Sequence, residues 1–265
     1  MISPQVGTFG PRYPYVRTGS GPPLVVLPGM VLDNAPPGRA RAWSYALGFG
    51  RLASDRTVYV VPRPRGLPPD AGLPDIATGY AEELARLGEF DLVGLSTGGA
   101  VAQHLALHRP ALVRRLALVV TGARLAPGGQ AICRRWLLLA EQRRWPELRA
   151  DMAASAVDGA VPKRLARAAQ RLFGGRAAPA PADATDFHRT VECVLAHDLR
   201  DDLRRLTVRT LVVGGAEDPF FPESHLRETA AAIPGSSLQV VAGSGHGLPK
   251  HHGAQLQATV AQFLG

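Results

Sequence analysis

A serine set between glycines is the first feature that could do chemistry. Gly94-Leu95-Ser96-Thr97-Gly98-Gly99 matches Gly-x-Ser-x-Gly and stands between the apolar run Asp91-Leu92-Val93-Gly94-Leu95 and a helically patterned segment from Ala100 to His108. A tight strand-to-helix turn lifts such a serine above a sheet and strains its backbone, leaving room only for the smallest residues two before and two after it. Gly94 and Gly98 meet that demand. The free N–H groups that open the following helix then face a developing oxyanion.

A serine hydroxyl is a weak nucleophile and needs a base, and the base needs a third group to fix its tautomer. Two late segments supply them in the order such sites use. Gly214-Gly215-Ala216-Glu217-Asp218-Pro219 carries Asp218, with Glu217 as the rival acid, and Ala242-Gly243-Ser244-Gly245-His246-Gly247 carries His246. The expected roles are Ser96 as nucleophile, His246 as base and Asp218 as the orienting acid. A second oxyanion donor should come from the loop Pro28-Gly29-Met30, so Met30 N–H and Thr97 N–H form the expected pair.

These residues need a scaffold that brings strand ends together. Leu24–Leu27, Thr57–Val61, Asp91–Leu95, Leu116–Val120, Thr210–Val213 and Leu238–Val241 are short apolar runs, the pattern of strands covered on both faces. Helical segments over about 77–87, 100–108 and 223–232 alternate with them, and the stretch up to Pro22 reads as an edge hairpin. The predicted fold is α/β: a doubly wound, mostly parallel sheet. Between about Arg124 and Leu206 strand-like runs vanish and helical spacing takes over, interrupted by Gly174-Gly175 and a Pro/Ala-rich stretch. We therefore expect a core of residues 1–123 and 207–265 with an inserted helical cap, 124–206.

Three blocks carry a family resemblance: Asp91–Ala100 around Ser96, Leu211–Asp218, and Gly243-Ser244-Gly245-His246-Gly247. Together they resemble the α/β-hydrolase superfamily, in the branch with a helical cap after the strand that follows the nucleophile helix. The resemblance spans nearly the whole chain and implies a Ser-Asp-His triad, a serine-ester type of chemistry and no cofactor. Two loops depart from the family pattern. Pro28-Gly29 stands where many members have His-Gly, and Pro62-Arg63-Pro64-Arg65-Gly66 stands where relatives carry Pro-Asp and small glycines.

The expected activity is cleavage of a carboxylic ester, thioester or related acyl compound through an acyl-enzyme. The alternatives are an acyltransferase or cyclase of a biosynthetic pathway using the same triad, and a ligand-sensing protein that keeps the pocket without the reaction. The cap should set substrate choice without contributing to the triad. Trp136, Leu139, Trp145 and Phe173 are its candidate pocket residues.

Composition narrows the other classes. The net charge of +8 is almost all arginine, with Lys163 and Lys250 the only lysines, and it is scattered without a nucleic-acid module around it. No apolar stretch has the length of a membrane span, and the first residues lack a signal-peptide pattern, so a cytoplasmic protein with a small-molecule acyl substrate is expected. Cys133 and Cys193 read as buried free thiols. His104 and His108 lack the glutamate of His-Glu-x-x-His and read as helix-end histidines, so no metal is expected.

Overall fold

The computed structural model of the protein describes residues 3–159, 162, 164–169, 181 and 184–265. Its sheet has eight strands: β1 (Gln5–Phe9), β2 (Tyr13–Thr18), β3 (Pro23–Leu27), β4 (Thr57–Val60), β5 (Phe90–Leu95), β6 (Val113–Val119), β7 (Arg209–Gly215) and β8 (Ser237–Val241). The spatial order is β1-β2-β4-β3-β5-β6-β7-β8. The first two strands form the antiparallel edge hairpin, and β4, β3, β5, β6, β7 and β8 run parallel. The doubly wound, mostly parallel sheet expected from the apolar runs is the observed architecture.

The main α-helices are α1 (Arg39–Gly48), α2 (Leu73–Leu84), α3 (Thr97–His108), α4 (Pro127–Glu141), α5 (Trp145–Ser155), α6 (Thr185–Leu195), α7 (Glu223–Ala232), α8 (Leu248–His251) and α9 (Gly253–Leu264). Each parallel strand feeds a crossover that packs back on the sheet, so both faces are dry. Ile76, Tyr80, Val101, Leu105 and Leu226 bring α2, α3 and α7 onto one face, while Ala42, Val260 and Phe263 bring α1 and α9 onto the other. Sequence patterning missed α1 because that helix presents Trp43 and Leu47 to solvent and buries only Ala42 and Ala46.

The parallel strands end along one edge of the sheet, where open α/β sheets bind ligands. Leu27 of β3 pairs in register with Gly94 of β5, which sets the Pro28-Gly29-Met30 loop beside Ser96. At the opposite end of β5, buried Asp91 accepts from Arg56 at 2.7 Å and from Arg114, and Arg56 also donates to the Leu264 carbonyl. That cluster ties the sheet's far end to α9. Helices α4, α5 and α6 all lie between β6 and β7 in the chain. The Gly174-Gly175 break, Leu172 and Phe173 lie outside the described residues. Among the described residues no helix is long and apolar enough to cross a membrane.

Candidate active site

Ser96 sits between β5 and α3 with φ 50° and ψ −120°, a conformation that a non-glycine residue adopts only under constraint. The constraint is steric crowding around the turn. A Cβ on Gly98 would run into the Leu27 and Pro28 carbonyls, and one on Gly94 would strike Gly99 and Ala102. The turn aims the Ser96 hydroxyl away from the sheet. His246 Nε2 lies 3.0 Å from Ser96 Oγ, and His246 Nδ1 lies 2.7 Å from Asp218 Oδ2.

Asp218 is 1% exposed and spends its other oxygen on two backbone donors, Phe220 N–H at 2.8 Å and Phe221 N–H at 3.3 Å. Those bonds lock the carboxylate, so the imidazole it holds carries its proton on Nδ1 and offers Nε2 to the serine. Glu217 is exposed to solvent. Of the two acids, Asp218 is the one that the structure brings to His246. The Phe220 ring, 4.6 Å from the imidazole, walls the histidine on one side.

A cavity of about 610 Å3 opens over Ser96, lined by Gly29, Met30, Thr97 and His246 among others. Both expected oxyanion donors therefore border it. A Cβ on Gly29 would sit 3.4 Å from Ser96 Cβ, so the backbone of this loop passes directly beside the serine. Thr97 is the first residue of α3, and its N–H lacks an acceptor one turn earlier within the helix.

Of the candidate pocket residues, the structure brings Trp136 to the cavity, together with Cys133 one turn earlier on α4. Leu139 and Trp145 are corrected: neither lines the cavity, and both pack against the main apolar cluster. Leu139 lies a further turn along α4, past the cavity, and Trp145 opens α5 on the far side of the α4–α5 turn. Phe173 lies outside the described residues. The sequence reading missed Met152 and Ala156 at the end of α5, Val194 in the last turn of α6 and His197 just after it, all of which line the cavity.

No member of the serine–histidine–aspartate chain comes from the segment between β6 and β7, yet that segment does touch the loop that carries His246. Asp158, just after α5, accepts from Ser244 Oγ at 3.0 Å and from Gly247 N–H at 3.1 Å. Burial works to raise the Asp158 pKa, but these donors, with Gly245 N–H and the nearby His251, hold its carboxyl below the usual range.

His104 differs from its sequence reading as a helix-end histidine. It is buried, with His108 stacked 6.1 Å away and His197 at 5.5 Å. His197 Nε2 donates to the Gly122 carbonyl at 3.3 Å. Burial, then the neighbouring histidine in each case, pushes both pKa values from the ordinary 6.5 down to about 4, against the opposing pull of Asp202 on His104 and of Gly122 and Asp198 on His197. Between those limits the unfolded chain binds protons that the folded chain refuses, so stability falls as pH drops from about 6.5 toward 4. Urea unfolding midpoints should decrease from pH 7.5 to pH 5 on this account, with a loss on the order of 1–3 kcal/mol. His197→Asn should flatten that slope, and an equally steep slope in the variant would contradict the assignment.

A family model described as "Alpha/beta hydrolase family" matches residues 24–258. The chain belongs to the alpha/beta hydrolase family. Among curated proteins it is 29% identical to polyketide synthase ThaQ of Burkholderia thailandensis, in a match covering 96% of this chain and 12% of that much longer protein. Among solved structures it is similar to a hydrolase from Pseudomonas aeruginosa, 25% identical over 100% of this chain and 98% of that one, with a TM-score of 0.74. It shares its fold with an enol-lactonase from Burkholderia xenovorans, at a TM-score of 0.76 and 19% identity over 98% of this chain and 99% of that one.

Proposed function

We propose that this alpha/beta hydrolase is a serine hydrolase that cleaves an acyl ester or thioester through an acyl-enzyme. The observation that carries the reading is the chain Ser96 Oγ to His246 Nε2 to buried Asp218, with Ser96 facing the cavity. In the first step His246 Nε2 takes the Ser96 proton as Oγ bonds to the substrate carbonyl carbon, and the carbonyl oxygen becomes an oxyanion held by Met30 N–H and Thr97 N–H. His246 then gives that proton to the leaving group, which departs as alcohol or thiol and leaves the acyl group on Ser96. Water attacks the acyl-serine, losing a proton to His246, which returns it to Ser96 Oγ as the acyl–oxygen bond breaks and the acid is released.

The lining favours a particular substrate. Met30, Leu32, Leu125, Trp136, Met152 and Phe220 offer an apolar surface for an acyl chain. Arg41 from α1, Arg149 from α5 and Lys250 from α8 also border the cavity, and no carboxylate among the described residues does. That imbalance favours a leaving group that carries negative charge. The helices between β6 and β7 act in this reading as a lid that sets acyl preference. The similarity to a polyketide synthase supports a thioester on a carrier as the natural substrate, and with it a second reading, transfer or cyclisation of the acyl group when another nucleophile replaces water.

Esters and thioesters of graded acyl length, with neutral or anionic leaving groups, test the proposal. The value of kcat/KM should rise about threefold to fourfold per added methylene until the cavity is full, as expected from about 0.8 kcal/mol for each buried methylene. Anionic leaving groups should be preferred at low salt and lose that preference at high salt. A flat response to chain length together with indifference to leaving-group charge would overturn the substrate assignment.

A further inference from the structure

The loop that departs from the family pattern, Pro62-Arg63-Pro64-Arg65-Gly66, holds a buried cation behind the active site. Arg63 is 2% exposed. Its guanidinium donates through Nη1 to the Pro28 carbonyl at 3.3 Å and through Nη2 to the Gly29 carbonyl at 3.1 Å, while its Nε has no partner. Among the described residues no carboxylate forms an ion pair with it. Burial lowers its pKa, against the smaller opposing effects of Tyr80, Tyr45 and Asp186. The surrounding loop is pinned as well: Asp186 of α6 accepts Gly66 N–H at 3.0 Å and Leu67 N–H at 2.7 Å, and Asn34 donates to the Pro64 carbonyl at 3.2 Å.

Burying a guanidinium against carbonyls alone is expensive, since two neutral acceptors offset only part of its lost hydration. The two carbonyls it grips belong to the loop beside Ser96. In a trans peptide the carbonyl and the N–H of one unit point in opposite directions. No cis peptide occurs among the described residues, so a Gly29 carbonyl turned back to Arg63 turns Met30 N–H forward, toward the cavity that Met30 lines. A charge-assisted bond to the carbonyl also draws electron density through the peptide and makes its N–H a better donor.

We propose that Arg63 is a positioning residue of the oxyanion hole, fixing and polarising the Gly29–Met30 peptide so that Met30 N–H meets the oxyanion formed when Ser96 attacks. The inference rests on Ser96 being the nucleophile. It assigns a role to a loop in which the sequence alone shows only a departure from relatives. Arg63 touches no substrate and acts through one peptide unit.

The test compares the wild type, Arg63→Met and Arg63→Lys with a p-nitrophenyl ester and with two ketones of matching chain. A trifluoromethyl ketone adds Ser96 Oγ to its carbonyl carbon, the serine proton passing to His246, and forms a tetrahedral oxyanion; the methyl ketone remains a ground-state mimic. Arg63→Met should fold, because it removes a buried charge while keeping most of the side chain's volume. Its kcat should fall about 10- to 100-fold, less than the roughly 10²- to 10³-fold cost of deleting an oxyanion donor outright. KM and methyl-ketone affinity should stay within about threefold, while trifluoromethyl-ketone affinity falls in step with kcat. Arg63→Lys, which keeps the charge but not the fork, should recover part of both losses and carries the same test at smaller amplitude should Arg63→Met not fold. Wild-type discrimination between the ketones that persists in Arg63→Met overturns the inference alone. A wild type that binds both ketones equally overturns the nucleophile reading and this inference with it.

Discussion

Ser96→Ala is expected to leave a folded protein whose kcat toward an activated ester is lower by about 10⁴- to 10⁶-fold. The size follows from what is lost. Without Oγ no acyl-enzyme forms, and water must attack the carbonyl directly with only the oxyanion donors and the bound geometry to help. The fold should tolerate the change because the turn's strain lies in the backbone, and the methyl group of alanine occupies the same Cβ position that the turn already accommodates. Circular dichroism and a urea midpoint close to the wild type would verify folding. Turnover within about tenfold of the wild type would remove Ser96 from the reaction.

Asp218→Asn is expected to reduce kcat by at least about 10³-fold while Glu217→Gln stays within about threefold. The asparagine keeps the shape of the carboxylate and can still accept Phe220 N–H, so the structure should change little. Its amide can instead donate to His246 Nδ1, which would shift the ring proton to Nε2, the atom that must accept from Ser96. The imidazolium formed during attack also loses its counter-charge in a nearly dry site, where Asp218 is 1% exposed. Steady-state rates of the two variants, measured side by side, check the assignment. The opposite ranking would move the acid to the exposed Glu217.

How much of this was legible beforehand depended on whether a local pattern stood for a three-dimensional need. Ser96 could be found because the turn that exposes it excludes every residue but glycine at 94 and 98, which leaves a mark in the sequence. Asp218 and His246 were legible because each lies in the loop that follows an apolar strand run, and β7 and β8 place those ends on the Ser96 edge of the sheet. Strand cores were read well and their bounds less so; β6 begins at Val113, three residues before its apolar run, because Val113 and Arg115 pair with Phe90 and Asp91 of β5 across an irregularity that leaves Arg114 out of the ladder, its side chain bound to Asp91.

The helices between β6 and β7 were read poorly at the level of single residues. Apolar positions at helical spacing turn toward core or cavity according to how the helix docks, so nothing local separates Trp136, which lines the cavity, from Leu139, which does not. Asp158 and Arg63 left no signal of their own. A carboxylate after a helix and an arginine between prolines are ordinary surface patterns, and their partners, Gly247 and Gly29, are distant in the chain.

The most direct test of the central claim is covalent labelling with a fluorophosphonate probe, followed by mass spectrometry of the digested protein. An activated serine displaces fluoride from phosphorus, its proton passing to the base, whereas an ordinary serine hydroxyl is inert. One equivalent of probe is expected on the peptide containing Ser96, none in Ser96→Ala, and strongly slowed labelling in His246→Ala. Absence of labelling in folded wild-type protein, or labelling at a residue other than Ser96, would contradict it.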